Sequence, residues 1–137
     1  MKPSQRLYGK VYRALMQLLP KERDSRLTNL ALLMVGIWGA RSVQTGRLAA
    51  YIPLYIKKLS VVRRMERFLD NRAVRVRSWY EPVARWLISA GSVTGEIALV
   101  MDSTTVSAHH RLVLVGLAYR ARVVPLAWSW VRSSRRS

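Results

Sequence analysis

Cysteine is absent from the 137 residues, which removes disulfide frameworks and thiolate metal sites from consideration and fits a reducing compartment. Acids are scarce as well: seven Asp and Glu stand against 24 Lys and Arg, giving a formal charge of +17 and a pI near 11.6. A chain so unbalanced repels itself, which argues against an unpartnered role and for a polyanion, nucleic acid before an anionic membrane. No apolar run approaches the roughly 20 residues that cross a bilayer. Leu27 to Ala40, the most apolar helical stretch, is shorter and contains Thr28 and Asn29, so it reads as a buried helix and no membrane insertion is expected. Met1 to Pro20 has Arg13 inside its apolar part and no small-residue cleavage site, which argues against a secretory leader. Internal repeats are lacking, and the polar tail Arg132 to Ser137 is the sole low-complexity tract. What remains is a hydrophobic share of 50%, ordinary for a globular protein and sufficient for a core.

The first two-thirds of the chain has helical periodicity. Leu7, Val11, Leu15, Leu18 and Leu19 fall on one face, which predicts an amphipathic helix from Ser4 to Leu19 stopped by Pro20. Asp24 or Ser25 can cap a second helix whose residues Leu30 to Trp38 are apolar nearly all round, with Gly39 as its end and a place at the hub of the helical core. Ser42 opens a short third helix to about Ala50, and Pro53 interrupts the connector that follows. Val61, Val62, Met65, Phe68 and Leu69 define the next apolar face, with Arg63, Arg64 and Arg67 on the other side. Ser78 and Glu81 have capping-box spacing for a last helix that turns Val83, Trp86, Leu87 and Ala90 inward; a start at Val74 would instead place a kink at Pro82. Gly91 to Gly95 reads as a linker, dividing a helical region, residues 1–95, from strands in residues 96–137.

Beyond the linker the pattern changes to short apolar runs. Ile97 to Met101 reads as a buried strand with Asp102 at its end, a rigid mount for a carboxylate. Ser103, Thr104, Thr105, His109 and His110 are expected in the turn after it. Adjacent histidines on an extended chain point to opposite faces, so a shared metal is not expected of them. RLVLVGLAYR and RVVPLAWSWV then form a hairpin whose tight turn is marked by Arg120 and Arg122. Proline cannot donate to a ladder, so Pro125 puts the third strand at the edge and the second strand between its neighbours. Trp128 and Trp130 share a face with Val124 and Leu126, which predicts packing against a helix, with base stacking as the minority reading.

Charge locates the candidate partner surface. Lys57, Lys58, Arg63, Arg64, Arg67, Arg72, Arg75 and Arg77 face only Glu66 and Asp70 in the same stretch, a dense supply of phosphate contacts for DNA. A solvated helix face is the plainer alternative. Ser42 to Asn71 also has the order of a helix-turn-helix, with a connector about twice the usual three or four residues. An isolated Asp at a strand end is more often a turn former than a ligand; Asp102 stands out because it is the one acid between Ile97 and Ser137 and follows five apolar residues.

In order and spacing, Met101-Asp102-Ser103-Thr104, the following hairpin and its last strand Val124-Pro125-Leu126-Ala127-Trp128 resemble an insertion-sequence transposase of the DDE class, in the branch related to the fourth insertion-sequence family. Arg64 to Asn71 and the helix from Trp79 to Leu87 are similar to the helical region before the catalytic domain in that family. The resemblance runs from about Leu27 onward and implies an α+β chain: an all-helical basic DNA-binding region, then the first three antiparallel strands of an incomplete RNase H-like domain. It implies that Asp102 is the first catalytic and metal-binding aspartate, with Mg²⁺ or Mn²⁺ as the ions, DNA as the partner, a homo-oligomer on element ends and a bacterial or archaeal cytoplasm, at the nucleoid. In the family a second Asp and a Glu complete a two-ion site for strand cleavage and transfer. Neither follows Asp102 here, so such a chain is expected to be silent alone. A non-catalytic DNA-binding regulator or inhibitor of transposition is the alternative, and a basic peripheral membrane protein is a third class.

Overall fold

The computed structural model describes residues 2–132 and is α+β: five helices precede a three-stranded antiparallel sheet. The chain divides into two compact units, Met1–Val76 and Arg77–Ser137. The division expected at 95/96 falls inside the second unit, because the last helix groups with the sheet. Among the described residues no helix is long and apolar enough to cross a membrane.

The first unit is helical. α1 spans Pro3–Leu18 with proline at its start, where a missing N–H costs nothing. α2 spans Asp24–Ala40 and is the hub. Its Leu27 and Ala31 close over Leu15 of α1, while its Leu32 joins Leu48, Ala49 and Ile52 from the middle segment. Val61 and Met65 come to that second cluster from α4, Lys58–Leu69. Each leucine, isoleucine, valine or methionine among them, taken fully out of water, contributes about 1.5–3 kcal/mol, so α2 is held from two sides. Its burial is not all round, since Trp38 is 77% exposed.

Two helix boundaries and one apolar face differ from the expected ones. Gly39 does not end α2; a Cβ there would stand 2.8 Å from Cδ1 of Tyr51, so the residue is small to admit that ring. The helix ends instead at Arg41, which takes the left-handed conformation at φ 49°. The third helix, α3, is only Thr45–Leu48, because the Ser42 hydroxyl accepts the Gln44 amide and holds the chain in a turn before it. On α4, Val61, Met65 and Phe68 are buried as the period requires, but Leu69 is exposed at the helix end.

In the second unit, α5 covers Val76–Gly91 and includes Pro82. It begins before Ser78, so the capping box does not form, and Glu81 pairs with Arg85 at 2.8 Å one turn on. Trp79 is its buried residue, whereas Trp86, expected inward, is 64% exposed. A 3₁₀ turn, Ser92–Thr94, leads to the sheet. The sheet order is β1-β2-β3, with β1 Leu99–Ser107, β2 His110–Tyr119 and β3 Arg122–Arg132. The middle place of β2 and the edge place of the Pro125 strand agree with the sequence reading. Pro125 stands opposite Gly116 beside a bulge that leaves Leu126 without a partner in the β2 register. Arg120 and Ala121 form the second hairpin turn with φ 45° and 60°, the pairing of left-handed residues that fits strand twist.

β1 departs most from expectation. It does not stop at Met101; Ser103, Thr104 and Thr105 continue the ladder opposite Val113, Leu112 and Arg111. The turn is Ala108 and His109, while His110 already belongs to β2 and shares a 3.1 Å hydrogen bond with the Ser107 hydroxyl. Threonine and valine suit an extended chain, and all nine β1 positions are exposed, so no buried face selects against the polar ones. α5 meets the sheet at β3: the Tyr80 hydroxyl donates to the Pro125 carbonyl, its ring meets Trp128 edge-on with centroids 5.3 Å apart, and Arg77 donates to the Trp128 carbonyl at 3.3 Å. Trp128 thus packs on a helix as expected, whereas Trp130 is half exposed. Burial raises the Tyr80 hydroxyl above its ordinary pKa of 10.0.

Candidate functional site

Helix α4 segregates its residues by period. Val61, Met65 and Phe68 bind it to the first unit, which leaves Arg63 and Arg67, four apart, exposed on its outer side. Lys57 and Lys58 begin the helix and Arg72 and Arg75 follow it, all exposed. Arg77 belongs to the second unit, and its guanidinium donates to the Trp128 carbonyl.

Arg64 differs from its neighbours. It is half-buried, and its Nε donates to Oδ1 of Asn29 at 2.7 Å, a side-chain contact between α4 and α2 across 35 residues of sequence. Around that contact lies an open cleft of about 470 Å³. The start of α2 contributes Arg23, Ser25, Arg26 and Asn29; the end of α4 and the residue group after it contribute Arg64, Arg67, Phe68 and Asn71. Four guanidinium groups therefore line one cleft whose lining includes no acid. Arg26 also makes a 2.8 Å salt bridge to Glu22 one turn earlier. Phe68 is 4% exposed and anchors this end of α4 in the unit.

Sequence reasoning missed Arg23, Arg26, Asn29 and Asn71. The available signal was positional: Arg23 is the N-cap residue of α2, and Arg26 and Asn29 lie three apart in its first turns, a polar stripe on one side of the helix. What the sequence did not carry was which helix that stripe would meet.

Asp102 lies in the middle of β1, opposite Leu114, which is itself opposite Trp128. Directly paired residues share a face, so the carboxylate stands at the open end of an apolar row. It is exposed, and its Oδ1 accepts the Ser103 amide at 2.7 Å. Among the described residues no three His, Cys, Asp or Glu side chains converge on a position for a metal ion. Comparison with family models, curated proteins and solved structures gives no match.

Proposed function

We propose that this chain binds duplex DNA through its first unit and is a piece of a DDE-class transposase whose RNase H-like catalytic domain begins with β1, β2 and β3. The observation that carries the DNA reading is the segregation of charge on and around α4: an apolar face fixes the helix, and Arg63, Arg67, Lys57, Lys58, Arg72 and Arg75 remain exposed in a chain of charge +17. Lysine and arginine in that number bind the phosphate backbone by releasing its counterions, without reading bases. The transposase reading draws support from the order of features, a carboxylate in the first strand of an antiparallel meander behind a basic helical region. It places the chain at the nucleoid of a bacterial or archaeal cytoplasm, acting as a homo-oligomer on element ends.

The resemblance implies Mg²⁺ or Mn²⁺, and Asp102 is an oxygen donor of the right hardness on a rigid strand. One carboxylate between Leu114 and solvent does not make a two-ion site, so the donor set present here does not fit that pair of ions and no cleavage step is assigned to these residues. A non-catalytic regulator that competes for element ends is the second reading of the same basic surface, which it uses without any cleavage step.

Fluorescence anisotropy with a random-sequence duplex tests the DNA reading. Affinity is expected to fall linearly in log salt, with a slope of about 0.9 for each phosphate contact. Affinity independent of salt, or retention on anionic vesicles without retention on duplex, would refute it. Reading the nucleotide sequence beyond the Ser137 codon in all three frames separates the two roles, since the transposase reading requires a second Asp and a Glu in strand and helix contexts.

A further inference from the structure

The geometry points to the cleft between the start of α2 and the end of α4 as a seat for one backbone phosphodiester of duplex DNA, clamped by Arg23, Arg64 and Arg67; this rests on the DNA-binding reading and says where on the first unit the backbone is gripped. Most of the basic residues form a diffuse field, but these three and Arg26 converge on one open space of about 470 Å³. Convergence of like charges without a lining acid costs energy that an anion would return. Arginine is the suited residue because its planar fork can give two parallel donors to one phosphate.

Arg64 is the fixed member. Its Nε is committed to Asn29 at 2.7 Å, so the guanidinium is oriented before any ligand arrives, and its two terminal nitrogens are not used in that bond. Pre-organising one donor lowers the entropy lost on binding. Arg23 and Arg67 are exposed on opposite sides of the cleft, one from each helix, and can close on the same anion. Arg26, bridged to Glu22, supplies charge rather than a free fork. The lining offers Ser25, Asn29 and Asn71 as further polar groups, and no flat apolar platform on which a base would stack, apart from a Phe68 ring that is itself buried. The ligand chemistry is therefore phosphate, not base.

The test uses the full chain, a random-sequence duplex and two double variants of equal charge change. Arg23→Ala with Arg67→Ala removes the exposed members of the cleft; Arg6→Ala with Lys10→Ala removes two exposed charges from α1. All four side chains are exposed, so both proteins are expected to unfold at the same temperature as the parent. The cleft pair is expected to lower affinity roughly tenfold per arginine at 0.1 M salt and to reduce the log–log salt slope by about 0.9, the share of the one phosphate held there. The α1 pair is expected to lower affinity severalfold less and to leave the slope nearly unchanged. Equal losses in the two variants would overturn the seat while leaving the DNA reading in place; no binding by the parent chain would overturn the DNA reading itself. Arg23→Lys with Arg67→Lys keeps the charge and removes the forks, and is expected to restore the slope but only part of the affinity. Full restoration would overturn the clamp.

Discussion

Two glycines in the first unit offer a test of how its core is built, because helix propensity and packing give opposite answers at one of them and the same answer at the other. Gly9 lies inside α1 and Gly36 inside α2. In a helix interior, glycine is worse than alanine by about 0.8–1.0 kcal/mol, so propensity alone makes both Gly→Ala changes stabilising. At Gly9 a Cβ would meet nothing within 4 Å, and the full gain of about 1 kcal/mol is expected. At Gly36 a Cβ would stand 2.8 Å from Cγ1 of Ile52 and 3.3 Å from Cβ of Leu48. Leu48 is completely buried and Ile52 nearly so, which leaves little room for either to yield. Overpacking of that kind costs about 1–3 kcal/mol, and after the propensity gain the net effect is a loss of about 0–2 kcal/mol.

The two variants are thus expected to differ by about 1–3 kcal/mol although the chemical change is the same. Hydrogen exchange of the most protected α2 amides reads the first unit without interference from the second. A gap of roughly 5- to 150-fold in exchange rate corresponds to that difference. In an Ile52→Val background, which removes one of the crowding atoms, the penalty of Gly36→Ala is expected to shrink, a coupling that a double-mutant cycle isolates. Equal protection in Gly9→Ala and Gly36→Ala would show that α2 and the segment around Ile52 are not packed as described.

Other expected outcomes concern the second unit. Ala121→Gly relieves a left-handed alanine that costs about 1–2 kcal/mol, less the roughly 0.4–1 kcal/mol that glycine loses through the unfolded chain, so the β2–β3 hairpin should gain a few tenths to about 1 kcal/mol, seen as slower exchange at Arg122. Tyr80 holds its proton more tightly folded than unfolded, so its contribution is whole below pH 10.0 and is lost as pH rises above that value; Tyr80→Phe should cost about 0.5–1.5 kcal/mol at neutral pH and flatten the alkaline loss. Tryptophan fluorescence follows both, since four of the five tryptophans lie in this unit. In the full chain, β1 amides should exchange faster than those of α2, because every β1 residue is exposed and it forms one edge of the sheet; slow exchange along β1 in a monomer would refute this account of the sheet.

The elements most legible in the sequence were those whose burial is one-sided. α1 and α4 each bury a stripe, and the spacing of Leu15 or of Val61, Met65 and Phe68 reports it directly. Pro125 was informative for a related reason, as a single missing donor excludes every place but an edge. β1 was misread because the argument for ending it at Asp102 assumed a buried strand, in which Asp, Ser and Thr would each be costly. On an exposed strand those residues cost little, and the ladder runs on to Ser107. Gly39 was misread as a stop because a glycine near a helix end is common at that role, yet here its small size is required by the Tyr51 ring, a contact that appears only when the chain has folded back.

The basic surface divides along the same line. Counting charge finds Arg63, Arg64 and Arg67 together and treats them alike, for they are neighbours in sequence and carry equal charge. Their roles separate only through α2. Arg63 projects from the side of α4 away from the core, while Arg64 is drawn to the seam by Asn29, and the two helices are held together because Leu32 of α2 and Val61 and Met65 of α4 are buried in one cluster. Arg23 and Arg26 line the cleft because they stand at the start of the helix those contacts fix, Arg23 as its N-cap residue and Arg26 in its first turn. A positive field follows from composition; a cleft lined by four guanidinium groups follows from the packing of two helices, and so it lies beyond any reading that takes the basic residues one segment at a time.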